Sequence, residues 1–133
     1  MKAARKDLAI TTDVIVGYPG ETEEDYLITK ETMRDIGFDN AFIFRYSKRI
    51  NTPAADAADQ ISDIIKEERN QDLLAMVNQI AIEKNERLVG TVQQVLCTGG
   101  SKKDPNRLTS RTSQNKIVIF DSFMFDRFIC KAF

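Results

Sequence analysis

Apolar and polar positions alternate between two rhythms along the chain, and the change falls near residue 90. Leu8 to Gly17 (LAITTDVIVG) is β-branched and holds the continuous apolar run Val14-Ile15-Val16. That is the pattern of a strand that a parallel sheet buries on both faces. Tyr18-Pro19-Gly20 then turns the chain, with Pro presetting φ and Gly supplying positive φ. Thr22 is placed to cap a helix, and Glu23, Glu24 and Asp25 crowd its first turn, where the helix dipole favours negative charge. The spacing predicts a helix over Glu23 to Ile36, closed by Gly37 as a left-handed C-terminal glycine. Asn40 to Tyr46 (NAFIFRY) is the next strand. Strand, turn, capped helix, glycine and strand make a βαβ unit with parallel strands. Two parallel strands leave edges that need neighbours.

Ser47 to Gln60 is a polar loop. From Ser62 a long amphipathic helix is predicted to about Leu88, with Ile61, Ile65, Leu73, Leu74, Val77, Ile80, Ala81 and Leu88 as its apolar stripe. Lys66 to Asp72 is its polar stretch, and Gly90 ends it. Thereafter the period is two. Thr91–Cys97, Arg107–Thr112, Lys116–Phe120 and Phe123–Phe133 read as short strands, separated by turn clusters at 98–101, 104–106, 113–115 and 121–122. Short strands at regular spacing predict a small antiparallel, OB-like β module. The fold class is α/β followed by all-β, with domains at 1–86 and 87–133.

Charge sharpens that division. The net charge is −1 over 133 residues, but residues 1–86 hold 11 Lys/Arg against 17 Asp/Glu, and residues 87–133 hold 8 against 3. The second part is therefore the one suited to a polyanion. The chain has no histidine, so the commonest general base and metal ligand is missing. Its two cysteines, Cys97 and Cys130, stand far apart in no metal-type spacing. No apolar run reaches the ~20 residues of a membrane span, and the basic start lacks a signal-type apolar block. The expectation is a cytoplasmic protein that crosses no membrane.

Three segments are candidates for chemistry. The loop Gly17-Tyr18-Pro19-Gly20-Glu21 follows a parallel strand and precedes a helix N-terminus, a place that favours anionic or polar ligand groups. Read alone, it is a weak signal, since a Pro-Gly turn before a capped helix is more often plain punctuation. Arg45, Ser47 and Arg49 follow the next strand on the same edge, where an arginine can grip a carboxylate or phosphate by two parallel hydrogen bonds or simply stand in solvent. Lys102, Lys103, Arg107, Arg111 and Lys116 form a basic series over two strands and their loop, suited to a nucleic-acid backbone. No aromatic residue is interleaved there, so contact would follow shape and phosphate more than base identity.

These same segments carry a resemblance. ITTDVIVGYPGETEEDY closely resembles the signature of the radical-SAM methylthiotransferases, and FRYSKRINTPAADAADQ is similar to that family's following strand and loop. RLVGTVQQVLCTGGSKKDPNRLTSRTSQNKIVIFD looks like the start of a TRAM domain, the family's small RNA-binding barrel. They occur in family order, and Ser-Lys-Lys-Asp-Pro and Asn-Lys-Ile-Val-Ile-Phe favour the tRNA-modifying, MiaB-type branch over the branch that modifies a ribosomal protein.

The resemblance implies part of a β/α barrel joined to a TRAM module. It implies an enzyme that adds a methylthio group to a modified adenosine beside the tRNA anticodon, using S-adenosylmethionine and two 4Fe–4S clusters. Gly17, Tyr18, Pro19, Gly20, Glu21, Arg45, Ser47 and Arg49 would then lie on the rim that holds S-adenosylmethionine. Lys102, Lys103, Arg107, Arg111 and Lys116 would face tRNA. The family's Cys-x-x-x-Cys-x-x-Cys motif is absent, Met1 falls where a full protein would be mid-barrel, and the likeness fades after Asp121. Asn51 and Ser110 stand where the family has glycines. The expectation is therefore a C-terminal fragment, inactive alone, holding no cluster and partnered by the missing N-terminal part. The alternatives are a free-standing RNA-binding adaptor module and a fragment of the related ribosomal-protein methylthiotransferase.

Overall fold

The computed structural model describes residues 8–121. The strand expected over Phe123–Phe133, and Cys130 with it, lie outside them. The described elements are β1 (Thr11–Val16), α1 (Glu23–Ile36), β2 (Asn40–Arg45), α2 (Pro53–Asp56), α3 (Asp63–Glu86), β3 (Val95–Gly100), β4 (Arg107–Thr112) and β5 (Ile117–Asp121). They fall into two compact units, one of which is Ile10–Val89 and the other of which takes in the strands after Gly90.

In the first unit β1 and β2 pair in parallel, from Thr11 opposite Asn40 to Val16 opposite Arg45. The helix between them starts as its residues require. Thr22 Oγ1 accepts from the Asp25 amide at 3.1 Å, and Asp25 Oδ2 accepts from the Thr22 amide at 3.0 Å, a reciprocal box that fills two orphan donors. Gly37 closes α1 at φ 59°, its amide donating to Met33 O. Asp39 then sets the register of the sheet. One of its oxygens takes the Ile10 amide and the other pairs with Lys84 Nζ, each at 3.0 Å.

Both helices lie against one face of this sheet. Val16, Tyr26, Met33, Ala41, Leu73 and Val77 make the core, with Val14, Phe38, Ile43 and Met76 packed against it. The continuous Val14-Ile15-Val16 run is not buried on both faces, because the unit supplies helices to one side only. Ile15, Phe42 and Phe44 are exposed on the other.

The inward face of α3 differs from the predicted stripe. Its buried residues are Lys66, Arg69, Asn70, Leu73 and Val77, whereas Ile65 is exposed and Leu74 and Ile80 are only half-buried. The polar three have partners that permit burial. Asn70 Nδ2 donates to Ile43 O on β2 at 2.9 Å, Lys66 Nζ pairs with Asp63 at 3.2 Å while its stem covers Gly17, and Arg69 reaches the loop after β1. The expected loop at 47–60 also contains the single turn α2, with Thr52 as its cap and Pro53 at its first position. Asn51, which precedes it, adopts φ 64°. That left-handed geometry accounts for a glycine as the family's preference, and asparagine is the next residue able to take it.

The second unit is an antiparallel sheet in the order β3-β4-β5. Its first strand begins later than predicted. Residues 91–94 lie outside it, and Thr98-Gly99-Gly100, expected as a turn, belong to β3. The pairing with β4 skips a residue between Cys97 and Gly99, and Gly99 takes φ 131°, so the glycine serves a bulge and not a turn. Ser113-Gln114-Asn115 does form the β4–β5 turn, with Asn115 at φ 61°. The inward side presents Val95, Ser110, Thr112 and Phe120. Ser110, wholly buried, donates its hydroxyl to Val118 O at 3.1 Å, a bond that a glycine there would lack.

Candidate functional site

The loop after β1 is shaped by its own glutamate. Gly17 and Gly20 both require positive φ, at 71° and 81°. Between them the backbone curls so that the Gly17 and Tyr18 amides donate to Glu21 Oε2 at 2.5 and 3.2 Å. The carboxylate thus occupies the anion-accepting amides that the sequence offered to a ligand. Glu21 is in turn held from α3. Arg69 Nη1 donates to Glu21 Oε1 at 2.9 Å and to its carbonyl at 3.3 Å, and Nη2 donates to Glu23 Oε2 at 3.0 Å. The Arg69 guanidinium also lies 5.1 Å from the Tyr26 ring centroid. The stem of Lys66 roofs Gly17 so closely that a Cβ there would sit 2.3 Å from Lys66 Cγ. Gly20 donates to Asp59 O at 3.1 Å, closing the loop from the other side.

Beside this clamp stands a second polar group. The Tyr26 hydroxyl donates to Asp72 Oδ2, which also receives Lys30 Nζ at 2.5 Å. Burial first, then the hydrogen bond to Asp72, pushes the Tyr26 phenol well above its ordinary range. Lys30 first, then Tyr26, holds the Asp72 carboxyl below its ordinary value. The hydrogen bonds from Thr22 do the same to Asp25 at the helix start.

After β2 it is Tyr46, between the expected Arg45, Ser47 and Arg49, that the structure brings to the loop. Tyr46 packs edge-on against Tyr18, ring centroids 5.3 Å apart, and its amide donates to Val16 O at 2.8 Å. Lys66 Nζ lies 5.6 Å from the Tyr46 centroid. The Tyr46 hydroxyl is buried without a hydrogen-bond partner. Tyr18 exposes about half of itself at this edge. Arg45 pairs instead with Glu67, and Ser47 and Arg49 are exposed. Sequence reading missed Lys66, Arg69 and Asp59. A signal for the first two existed: counting back from Leu73 by three, four and seven lands on Asn70, Arg69 and Lys66, one helical face.

In the second unit Arg107 and Arg111 share the outward face of β4, four residues and so about 13 Å apart. Arg107 Nε pairs with Asp121 at 3.0 Å, and Arg111 Nη1 donates to Asn115 Oδ1 at 2.9 Å. Leu96, Ile117 and Ile119 are exposed on the same face, since they pair with or adjoin these positions. Lys102 and Lys103 are exposed on the β3–β4 loop, and Lys116 is half-buried beside the hairpin turn. The five basic residues therefore form a spread surface and not a single cluster.

The architecture defines a βαβ segment with a clamped loop at one sheet edge, joined to a small antiparallel module with a basic surface. No protein-family model matches the chain. Curated relatives do. A tRNA-2-methylthio-N(6)-dimethylallyladenosine synthase of Akkermansia muciniphila is 63% identical over 122 residues, 92% of this chain and 27% of that protein. The synthases of the same name from Thermoanaerobacter sp. and Ectopseudomonas mendocina are 51% and 48% identical, over 86% and 90% of this chain and 24% and 27% of theirs. The chain spans about a quarter of the length of the curated relatives it matches. It is a homologue of the tRNA-2-methylthio-N(6)-dimethylallyladenosine synthases, matched as their C-terminal part.

Proposed function

We propose that the chain is the portion of a tRNA methylthiotransferase that completes the rim of an S-adenosylmethionine site and contacts tRNA near the anticodon. In this reading residues 1–86 are the closing part of a β/α barrel, and residues 87–133 belong to a TRAM-like RNA-binding module. The identity to the synthases over some nine tenths of the chain carries the reading. S-adenosylmethionine, when bound, would supply radical chemistry with a 4Fe–4S cluster held elsewhere in such an enzyme. This chain's residues do not fit a cluster. The family's motif holds a cluster by three thiolates and other 4Fe–4S clusters take four, whereas the sequence has two cysteines and no histidine, and no metal-competent group of side chains lies among the described residues.

The residues do suit the adenosyl group. The exposed Tyr18 ring offers a face to a flat heterocycle, and the orphaned Tyr46 hydroxyl offers a donor to its edge. Gly17, Pro19, Gly20 and Glu21 shape the rim, and Arg45, Ser47 and Arg49 border it. Lys102, Lys103, Arg107, Arg111 and Lys116 attract phosphate.

Filter binding to unmodified tRNA across a salt series tests the RNA part. Changing Lys102, Lys103, Arg107 and Arg111 to Ala is expected to weaken binding and flatten the salt slope by ~0.7–0.9 log units per lost phosphate contact. The Lys2/Arg5/Lys6→Ala variant is expected to change little. An unaltered slope in the quadruple variant refutes the RNA surface.

A further inference from the structure

We propose that Arg69 is the positioning residue of the loop after β1, fixing the Gly17 and Tyr18 amides through the Glu21 carboxylate. The proposal rests on the reading of that loop as an adenosyl-binding rim, and adds what sets its shape.

The location of Arg69 makes the first argument. It lies one turn before Leu73 on the inward face of α3, and it is 7% exposed, in a place where a leucine would extend the core. Burying a guanidinium costs desolvation that only good geometry offsets. Here its two terminal nitrogens hold two different glutamates, with Glu21 itself only 14% exposed. Such a pair specifies positions more than it adds stability.

The route from Arg69 to the rim makes the second argument. One oxygen of Glu21 takes Arg69 and the other takes the Gly17 and Tyr18 amides, so the guanidinium dictates where those amides point. Tyr18 is the exposed ring of the rim, and its backbone is the last link of this chain of contacts. Lys66, one turn earlier, presses its stem on Gly17 and leaves the curl no room to open on that side. Arg69 acts through Glu21 and touches no part of the expected ligand, so it is a positioning and not a catalytic residue.

Amide NMR spectra of the full chain test this, together with a titration of S-adenosylmethionine. Arg69→Met keeps the stem and removes the guanidinium. Glu21→Gln keeps the loop side chain's shape and removes its charge, and it serves if the first variant fails to fold. In both, the Gly17 and Tyr18 amide resonances are expected to move upfield and exchange faster with water, while Leu73 and Val77 keep their shifts. Affinity for S-adenosylmethionine is expected to fall about tenfold, as for loss of one charged hydrogen bond. Arg69→Lys, which keeps one donor, is expected to restore part of both effects.

Gly17 and Tyr18 amides that stay unmoved in Arg69→Met overturn the proposal, as do displaced amides with undiminished affinity. If the parent chain does not bind S-adenosylmethionine, the cofactor reading of the rim fails for this chain. The amide shifts still decide whether Arg69 sets the loop.

Discussion

The two units use charge at different ranges along the chain. In the first, Arg69 meets Glu21 across 48 positions, Glu23 across 46, and Tyr26 meets Asp72 across 46. In the second, Arg107 reaches Asp121 across 14 positions and Arg111 reaches Asn115 across four. The first set fastens the loop after β1 and helix α1 to α3, with Arg69 and Tyr26 buried, Glu21 half-buried, and Glu23 and Asp72 at the surface. The second set decorates strands that their hairpins already hold. Long-range, half-buried pairs define geometry, and short-range, exposed pairs leave charge available at a surface.

The strongest way to break this contrast is to remove an apolar anchor from the face that carries the polar ones. Leu73 is fully buried between Arg69, Asn70 and Val77. Leu73→Ala is expected to cost about 2–5 kcal/mol in urea unfolding. A cost below that of removing an exposed ion pair would mean that the charges, not the core, hold the unit.

A smaller effect is expected from Gly17→Ala. Positive φ and the Lys66 stem both oppose the new methyl group, at about 1–3 kcal/mol of backbone strain alone. Thermal unfolding measures it, and the same variant with Lys66→Ala should recover only the steric part.

The pH profile sharpens the comparison next. Asp72 titrates below 3.8 when folded, so its contribution is whole above that value and is lost as pH falls through the folded pKa. Tyr26 is raised above 10.0, so its contribution is whole below that value and fades as pH climbs past it. Asp72→Asn is expected to flatten the acid limb of a stability-against-pH curve. An unchanged limb would remove Asp72 from the contacts that tie α1 to α3.

Least of all should come from Arg45→Ala. Its pairing with Glu67 leaves both side chains about half exposed, and such pairs contribute roughly 0–1 kcal/mol. Chemical denaturation of the variant checks that this charge, unlike Arg69, holds nothing in place.

These features were unequally legible in the sequence. Thr22, the acidic first turn and Gly37 act within a few residues of themselves, so α1 and the parallel pairing that follows from it could be read directly. The burial of Arg69 and Asn70 was harder to read, because a polar residue goes inward only if a partner waits there, and the partners are Glu21 and Ile43 O, 27 to 48 positions away. Gly99-Gly100 misled for a related reason. Glycine marks positive φ without saying whether a turn or a bulge uses it, and only the register against β4 decides. The clamped loop was recognised as a place for chemistry, but its occupation by Glu21 depends on a side-chain direction that spacing does not encode.

The span between Glu21 and Arg69 also has a meaning in time. A chain emerging from a ribosome at about 5–20 residues per second exposes the loop some seconds before the arginine that fixes it. The strand and the capped helix can form meanwhile from local contacts, but the curl at Gly17 must wait for α3 to dock. Shape at this edge is therefore a late event of folding, set by closure of a long loop and not by the turn's own residues.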